Sequence, residues 1–337
     1  LVVQQASGFR AREIQIYQLK GIGPRKPRNM AEPEILPPAS PSTPPANTAF
    51  RGPNGLRAGW RVLIFLAIVI GLGIVLALGV FLVNRGRSQF AQGQLTPSGT
   101  AMAEGAIFLV AAGAALIMAL IEHRPFGRYG LPARFAFRKD FWIGTMFGFL
   151  SISGTLGVIF LLHGFRLTGF AIHGQTILTS ALAWAAAFVL VGLAEEFLFR
   201  GYLQFTLTTG IGFWPSAICL SLLFGAAHSG NPGETKFGLF SVVLFGLLFC
   251  LFLRRTGNLW WAVGFHAGWD WGQTFFYGVA DSGLPADHSL FNSAFNGPRW
   301  ITGGSVGPEA SIFTVLVLAV VAILFHRAYR ENRYVAP

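Results

Sequence analysis

Between residues 62 and 326 the chain is a succession of apolar segments, at 62–83, 105–121, 141–162, 177–199, 213–228, 237–253, 259–278 and 311–326, joined by polar or basic connections. Most approach the roughly 20 residues that an α-helix needs to cross the hydrocarbon of a bilayer. Backbone N–H and C=O groups in hydrocarbon must bond to one another, and a helix does this within a single segment. The pattern therefore predicts an all-α, polytopic integral membrane protein with about eight transmembrane helices over 61–330. Composition agrees: 53% of residues are hydrophobic and 12% charged, about half the charge of a soluble domain. The 42 glycines fit too, because small residues let membrane helices approach closely. Gly144 with Gly148, and Gly264 with Gly268, form GxxxG pairs of that kind.

Residues 1–60 are different in kind. Eight prolines between Pro24 and Pro45 stand among Ser, Thr and basic residues with no helical periodicity, which predicts a disordered basic tail. The first methionine, Met30, precedes Ala31-Glu32-Pro33, and translation is expected to start there.

The net charge of +11 raises the question of a nucleic-acid partner, and the placement of the charges answers it. With the tail inside, nineteen of the 25 Lys and Arg residues fall on the inner side, and the outer connections hold Arg85, Arg87, Arg166, Lys236 and Arg299. This asymmetry follows the positive-inside rule and places both termini in the cytoplasm. The expected location is a membrane, of the bacterial plasma-membrane type, with the bilayer rather than nucleic acid as partner. The segment 122–140 interleaves basic and aromatic residues and reads as a loop on the cytoplasmic headgroups with snorkelling arginines. Cys219 and Cys250 sit inside apolar stretches without CxxC spacing, which offers neither a disulfide framework nor a thiolate zinc site.

Ionisable side chains within apolar segments carry the functional signal, since each costs about 2.5 to 3.5 kcal/mol at the bilayer centre. The fourth segment holds Glu195, Glu196 and Arg200, with Glu196 and Arg200 four residues apart on one helical face, able to pair. The fifth ends in His228. The seventh holds His266 and Asp270, again four apart on one face. Left uncompensated, these groups would cost on the order of 10 kcal/mol together, so they are expected to converge. Each also has a plainer reading: His228 as an interfacial helix end, Glu196–Arg200 as a buried pair, His266–Asp270 as a packing hydrogen bond. Glu195 has no such reading, because Glu196 already occupies the arginine. His123, His163, His173, His288 and His326 are expected at the surface.

In this order and spacing the residues resemble the CPBP family of intramembrane proteases, which includes the type II CAAX prenyl endopeptidases and the Abi and bacteriocin-processing proteins. The family's paired glutamates and arginine are similar to Glu195, Glu196 and Arg200; its FxxxH to Phe224 and His228; its HxxxN/D to His266 and Asp270. Gly303-Gly304-Ser305-Val306-Gly307-Pro308-Glu309 resembles a further stretch of bacterial members. The motif region spans about 180–275. The resemblance implies an endopeptidase that hydrolyses membrane-associated peptide or protein tails. Glu195 would then be the general base on a water and His228 would help hold that water. His266 and residue 270 would stabilise the oxyanion, with Glu196–Arg200 as the supporting pair.

Where the best-described members have asparagine this chain has Asp270, and an ionised carboxylate repels an oxyanion. Asp270 is then protonated, or orients His266, or joins Glu195, His228 and His266 around a metal such as zinc; all three remain open at this point. The HExxH spacing of soluble zinc proteases is absent. The rival to proteolysis is a membrane scaffold or self-immunity protein that binds a peptide without cutting it. Depth sets a further condition, because His228 ends a short segment toward the outer side. For the three motifs to meet, the fourth helix must continue past Arg200 toward Gln204, or the fifth segment must be displaced or re-entrant.

Overall fold

The structure, a computed structural model, describes residues 49–52, 55–83 and 93–336. The tail expected over 1–60 and the start expected at Met30 lie outside them as far as residue 48. Within the rest of that segment Arg51–Gly52 (β1) pairs antiparallel with Gly55–Leu56 (β2). The first helix already begins at Ala58, slightly before the expected boundary.

Each of the eight apolar segments is helical. The helices are α1 (Ala58–Val83), α2 (Pro97–Ile121), α3 (Lys139–Leu161), α4 (Gln175–Leu198), α5 (Gln204–Ile211), α6 (Phe213–Ala227), α7 (Lys236–Thr256), α8 (Trp260–Asp270), the short α9 (Arg299–Thr302) and α10 (Ile312–Ala328). Among the described residues five continuous helices are long and apolar enough to cross a membrane: α1, α2, α3, the 175–211 rod formed by α4 and α5, and α7. The other three apolar segments, α6, α8 and α10, have 15, 11 and 17 helical residues. Alone, each is shorter than the roughly 20 residues of a full span.

The rod resolves the depth condition. Helix α4 does not stop after Arg200 but passes through a π-helical turn, Phe199–Leu203, into α5, with Gly201 departing from helical geometry at ψ −121°. Gly212, at φ 84°, then reverses the chain into α6. Glu195 stands sixteen residues before Ile211 and His228 fifteen after Phe213, so two antiparallel helices bring them to similar depth at 1.5 Å per residue.

The two GxxxG pairs face one another. A Cβ on Gly144 or Gly148 would collide with the carbonyl oxygens of Trp261 and Phe265, and one on Gly264 or Gly268 with those of Phe141 and Thr145. Backbone-to-backbone contact of this kind needs glycine on both sides, and it makes α3 and α8 close partners. Helix α8 also packs on α4, which puts His266 and Asp270 against the Glu195–Glu196 turn.

The segment expected on the headgroups is in part built into the fold. Glu122 accepts hydrogen bonds from Arg61, from Tyr129 at 3.2 Å and from Tyr202, which joins α1, the end of α2 and the π turn. Burial, and then the Glu122 carboxylate, push the Tyr129 hydroxyl up to about 12, so it stays a neutral donor. Arg128, Arg134 and Arg138 of the same segment remain toward solvent.

On the opposite side the connections hold a two-stranded antiparallel sheet, Phe165–Phe170 (β3) with Phe291–Phe295 (β4). Aromatic pairs Phe165–Phe295 and Phe170–Phe291 back it. The 303–309 stretch folds across the 280–283 turn: Gly307, at φ 108°, lies against the Ala280 carbonyl where a Cβ would collide. That close approach delivers Glu309 to Ser282, whose backbone N–H donates to Glu309 at 3.0 Å.

Candidate active site

Glu196 and Arg200 are fully buried. The guanidinium donates from Nη1 to Glu196 Oε1 at 3.2 Å and lies over the ring of Phe224 at 4.2 Å, with Phe249 and Phe199 at 5.5 and 5.7 Å. Three aromatic faces and one carboxylate replace the water that a buried cation loses. Gly246 leaves the room, since a Cβ there would meet Arg200 Nη2 at 2.7 Å.

The same Glu196 oxygen is 3.1 Å from His266 Nδ1. An ionised carboxylate only accepts, so Nδ1 carries the proton and the imidazole is fixed in orientation. Stacking on Phe249, with centroids 5.3 Å apart and planes at 21°, fixes its tilt. Nε2 then faces two further carboxylates, Glu195 Oε2 at 3.6 Å and Asp270 Oδ2 at 3.5 Å. Glu195 is the most accessible of these groups, with 24% of its side chain exposed against 12% for His266 and 7% for Asp270.

His228 caps α6. Its Nδ1 is 2.8 Å from the Phe224 carbonyl oxygen, which can only accept, so Nδ1 is the protonated nitrogen and Nε2 of the neutral ring is an acceptor. The Phe224 ring packs edge-on against it at 4.7 Å. One phenylalanine thus holds the histidine by its backbone and its ring and covers Arg200.

Glu195, His228, His266 and Asp270 all line one cavity of about 370 Å³, together with Phe188, Phe199, Phe245 and Phe249. Glu196 and Arg200 stand behind its wall. All six residues singled out in the sequence therefore belong to one constellation, and the five remaining histidines are exposed.

Three acidic residues of the cavity lay outside that reading as site residues. Glu104 falls just before the apolar run at 105–121, but α2 starts at Pro97, behind a Thr96 cap that accepts from the Gly99 N–H at 3.2 Å. Glu104 is therefore two turns inside the helix. The Thr96-Pro97 pair, a cap residue followed by a proline at the first helical position, is the sequence signal for it. Asp281 and Glu309 come from the loops beneath β3 and β4. Burial pushes Asp281 up to about 6 against the hydrogen bond from Thr274 Oγ1 at 2.9 Å. Burial, and then the neighbouring Asp281, raise Glu309 as well.

The set Glu195, His228, His266 and Asp270 is not a compact cage for zinc. Among the described residues, the group of three potential ligands whose donor atoms gather within 4.8 Å is Asp270, Asp281 and Glu309. That group is all oxygen. Its members already face His266, Thr274 and Ser282 respectively. A tetrahedral site with two imidazoles does not fit this arrangement.

Residues 177–272 match the family model of the type II CAAX prenyl endopeptidases, Rce1-like, a protease family. This agrees with the resemblance carried by the three motifs, and the matched stretch contains all six residues. A search of curated proteins finds no match to the chain. The long apolar helices among the described residues mark a multi-pass membrane protein, and its 177–272 segment is similar to a protease family.

Proposed function

We propose that the protein is an intramembrane endopeptidase that hydrolyses peptide bonds in membrane-associated peptide or protein tails with a glutamate-activated water. The observation that carries this reading is the convergence of Glu195, His228 and His266, from three separate helices, on one cavity. Glu195, the most exposed carboxylate of the cluster, takes the proton of the attacking water. His228, whose Nε2 is an acceptor, takes a hydrogen bond from the other hydrogen of that water and aims its oxygen at the carbonyl, and Glu195 returns the proton it took to the leaving amine as the C–N bond breaks. His266, in its charged form, presents Nε2–H as the donor for the tetrahedral oxyanion, where scarce water makes a donor most effective. Asp270, 3.5 Å from that nitrogen, acts by holding His266 rather than by touching the oxyanion.

Access follows from the packing. Helices α4 and α8, packed on each other, supply Glu195, His266 and Asp270. Helix α2 packs on α1 and α4 while α6 packs on α5 and α7, and these two supply Glu104 and His228 to the wall. A chain segment leaving the bilayer would pass between α2 and α6. On this reading α6, α8 and α10 complete an eight-helix bundle with both termini in the cytoplasm, and the membrane is of the bacterial plasma-membrane type.

The test is cleavage of a peptide library by purified protein in nanodiscs, comparing wild type with Glu195→Gln. Cleavage by wild type alone supports the mechanism. Equal cleavage by both overturns the role of Glu195. Binding without cleavage by either favours the scaffold or self-immunity reading.

A further inference from the structure

Two polar groups on α2 line the cavity with no hydrogen-bond partner among the described residues. Thr100 is 9% exposed, and its Oγ1 has no hydrogen-bond partner among the described residues. Glu104, one helical turn on and on the same face, has its Oε2 buried and equally unpartnered. Both residues line the cavity that holds Glu195.

The other carboxylates of the cavity are answered. Glu195 and Asp270 face His266, Asp281 accepts from Thr274, and Glu309 accepts from Ser282. Among the described residues no lysine or arginine lines the cavity, and Arg200 is committed to Glu196 behind the wall. Five carboxylates thus share a cavity with two histidines. An unpaired carboxylate at membrane depth is costly, and a cation arriving with the substrate would offset that cost.

We propose that Thr100 and Glu104 form a specificity subsite for a lysine or arginine side chain near the scissile bond, so that the enzyme prefers basic peptide segments. This rests on the proteolytic reading of the cavity. The ammonium of lysine carries three donors and the guanidinium of arginine five, and either can bond Glu104 and the Thr100 hydroxyl together. A neutral side chain of the same length leaves both groups desolvated and unpaired. The subsite lies on α2, a helix outside the residues matched to the family.

The experiment uses the full-length protein in nanodiscs and matched peptides that differ at one position, lysine or arginine against norleucine or glutamate, scanned across the scissile bond. Wild type is expected to favour the basic peptide at one position by about tenfold or more in kcat/KM. Glu104→Gln brings that ratio toward one, Glu104→Lys inverts it in favour of glutamate, and Thr100→Val reduces it severalfold. No basic preference in wild type, or a preference that survives Glu104→Gln, overturns the subsite. So does a uniform loss on all peptides with a shifted pH profile, which would make Glu104 a positioning group for Glu195. Peptide affinities for Glu195→Gln protein separate the two readings. Basic-selective binding without any cleavage by wild type keeps the subsite and removes proteolysis, whereas cleavage without selectivity does the reverse. If Glu104→Gln fails to fold, the wild-type ratio and Thr100→Val decide.

Discussion

His266 Nδ1 lies 3.1 Å from the same Glu196 oxygen that accepts from Arg200 at 3.2 Å. One buried carboxylate therefore couples the cation of the π turn to the imidazole of α8, which lies 70 residues after that carboxylate in sequence. The consequence is directional. With Nδ1 engaged, only Nε2 is left to face the cavity, and it stands between Glu195 and Asp270.

Glu196→Gln is expected to destabilise the protein by about 3 to 5 kcal/mol, the effect of leaving one member of a buried ion pair without its partner. Arg200 then loses the carboxylate it donates to and keeps the rings of Phe224 and Phe249 beside it. The double change Glu196→Gln with Arg200→Met removes both charges and should be less destabilising than the single change, as read by thermal unfolding in detergent. Activity does not recover in the double variant, because His266 loses the carboxylate that fixes Nδ1. Equal stability of the single variant and wild type would show that the pair is not held as the structure has it.

Glu195→Gln is a different kind of change. Its side chain is partly exposed and makes no ion pair with a permanent cation, so folding should be close to unaffected. Hydrolysis should fall by about 10² to 10⁴, the range attached to a general base. Peptide affinity is retained, so the loss appears in kcat and not in KM. A loss confined to KM would make Glu195 a binding group.

How far the sequence reached can be followed residue by residue. Glu196 with Arg200 was legible because an i, i+4 spacing is a local property of a helix, and the opposed GxxxG pairs because small residues at that spacing have few other uses in a bilayer. The continuation of α4 past Arg200 was legible as one of two ways, beside a displaced or re-entrant fifth segment, for His228 to reach the depth of the glutamates. The link from Glu196 to His266 was not, because it depends on how α4 and α8 pack. Glu104 was hidden by a boundary drawn at the apolar run, and the Thr96-Pro97 cap shows that the helix starts eight residues earlier. The Glu122 network was hidden for a related reason: the charges of 122–140 suggest a surface loop until Arg61, on another helix, is seen to supply the partner. The β3–β4 pair is too short and too far apart in sequence for any hairpin signal.

Metal removal should leave hydrolysis unchanged. Of the four residues that could have made a zinc site, His266 has one nitrogen committed to Glu196 and His228 has one committed to the Phe224 carbonyl. The four do not gather their remaining donors into a compact set, and the acidic group that does gather, Asp270, Asp281 and Glu309, offers only oxygen. Elemental analysis of the purified protein is expected to show less than stoichiometric zinc, and chelator treatment to preserve activity. Stoichiometric zinc, with activity lost to chelator and restored by added metal, would overturn the glutamate-water mechanism.

The α3–α8 contact offers a test of how the fold supports the site from outside it. Gly148 faces the backbone of Phe265 and Trp269, on either side of the turn that carries His266. Gly148→Val cannot be accommodated by a rotamer change, because the obstacle is a carbonyl oxygen of the neighbouring helix rather than a side chain. Overpacking there should cost about 1 to 3 kcal/mol or more and push α8 away from α3, moving His266 relative to Glu195. Gly154 is the matched control, since it lies on the same helix with open space around its Cβ position. Gly154→Ala should be neutral or stabilising by up to about 1 kcal/mol, from helix propensity alone. Thermal unfolding and peptide hydrolysis should therefore fall together in Gly148→Val and stay at wild-type level in Gly154→Ala. If Gly148→Val unfolds at a lower temperature but hydrolyses peptide at the wild-type rate when folded, the placement of His266 does not depend on this helix contact.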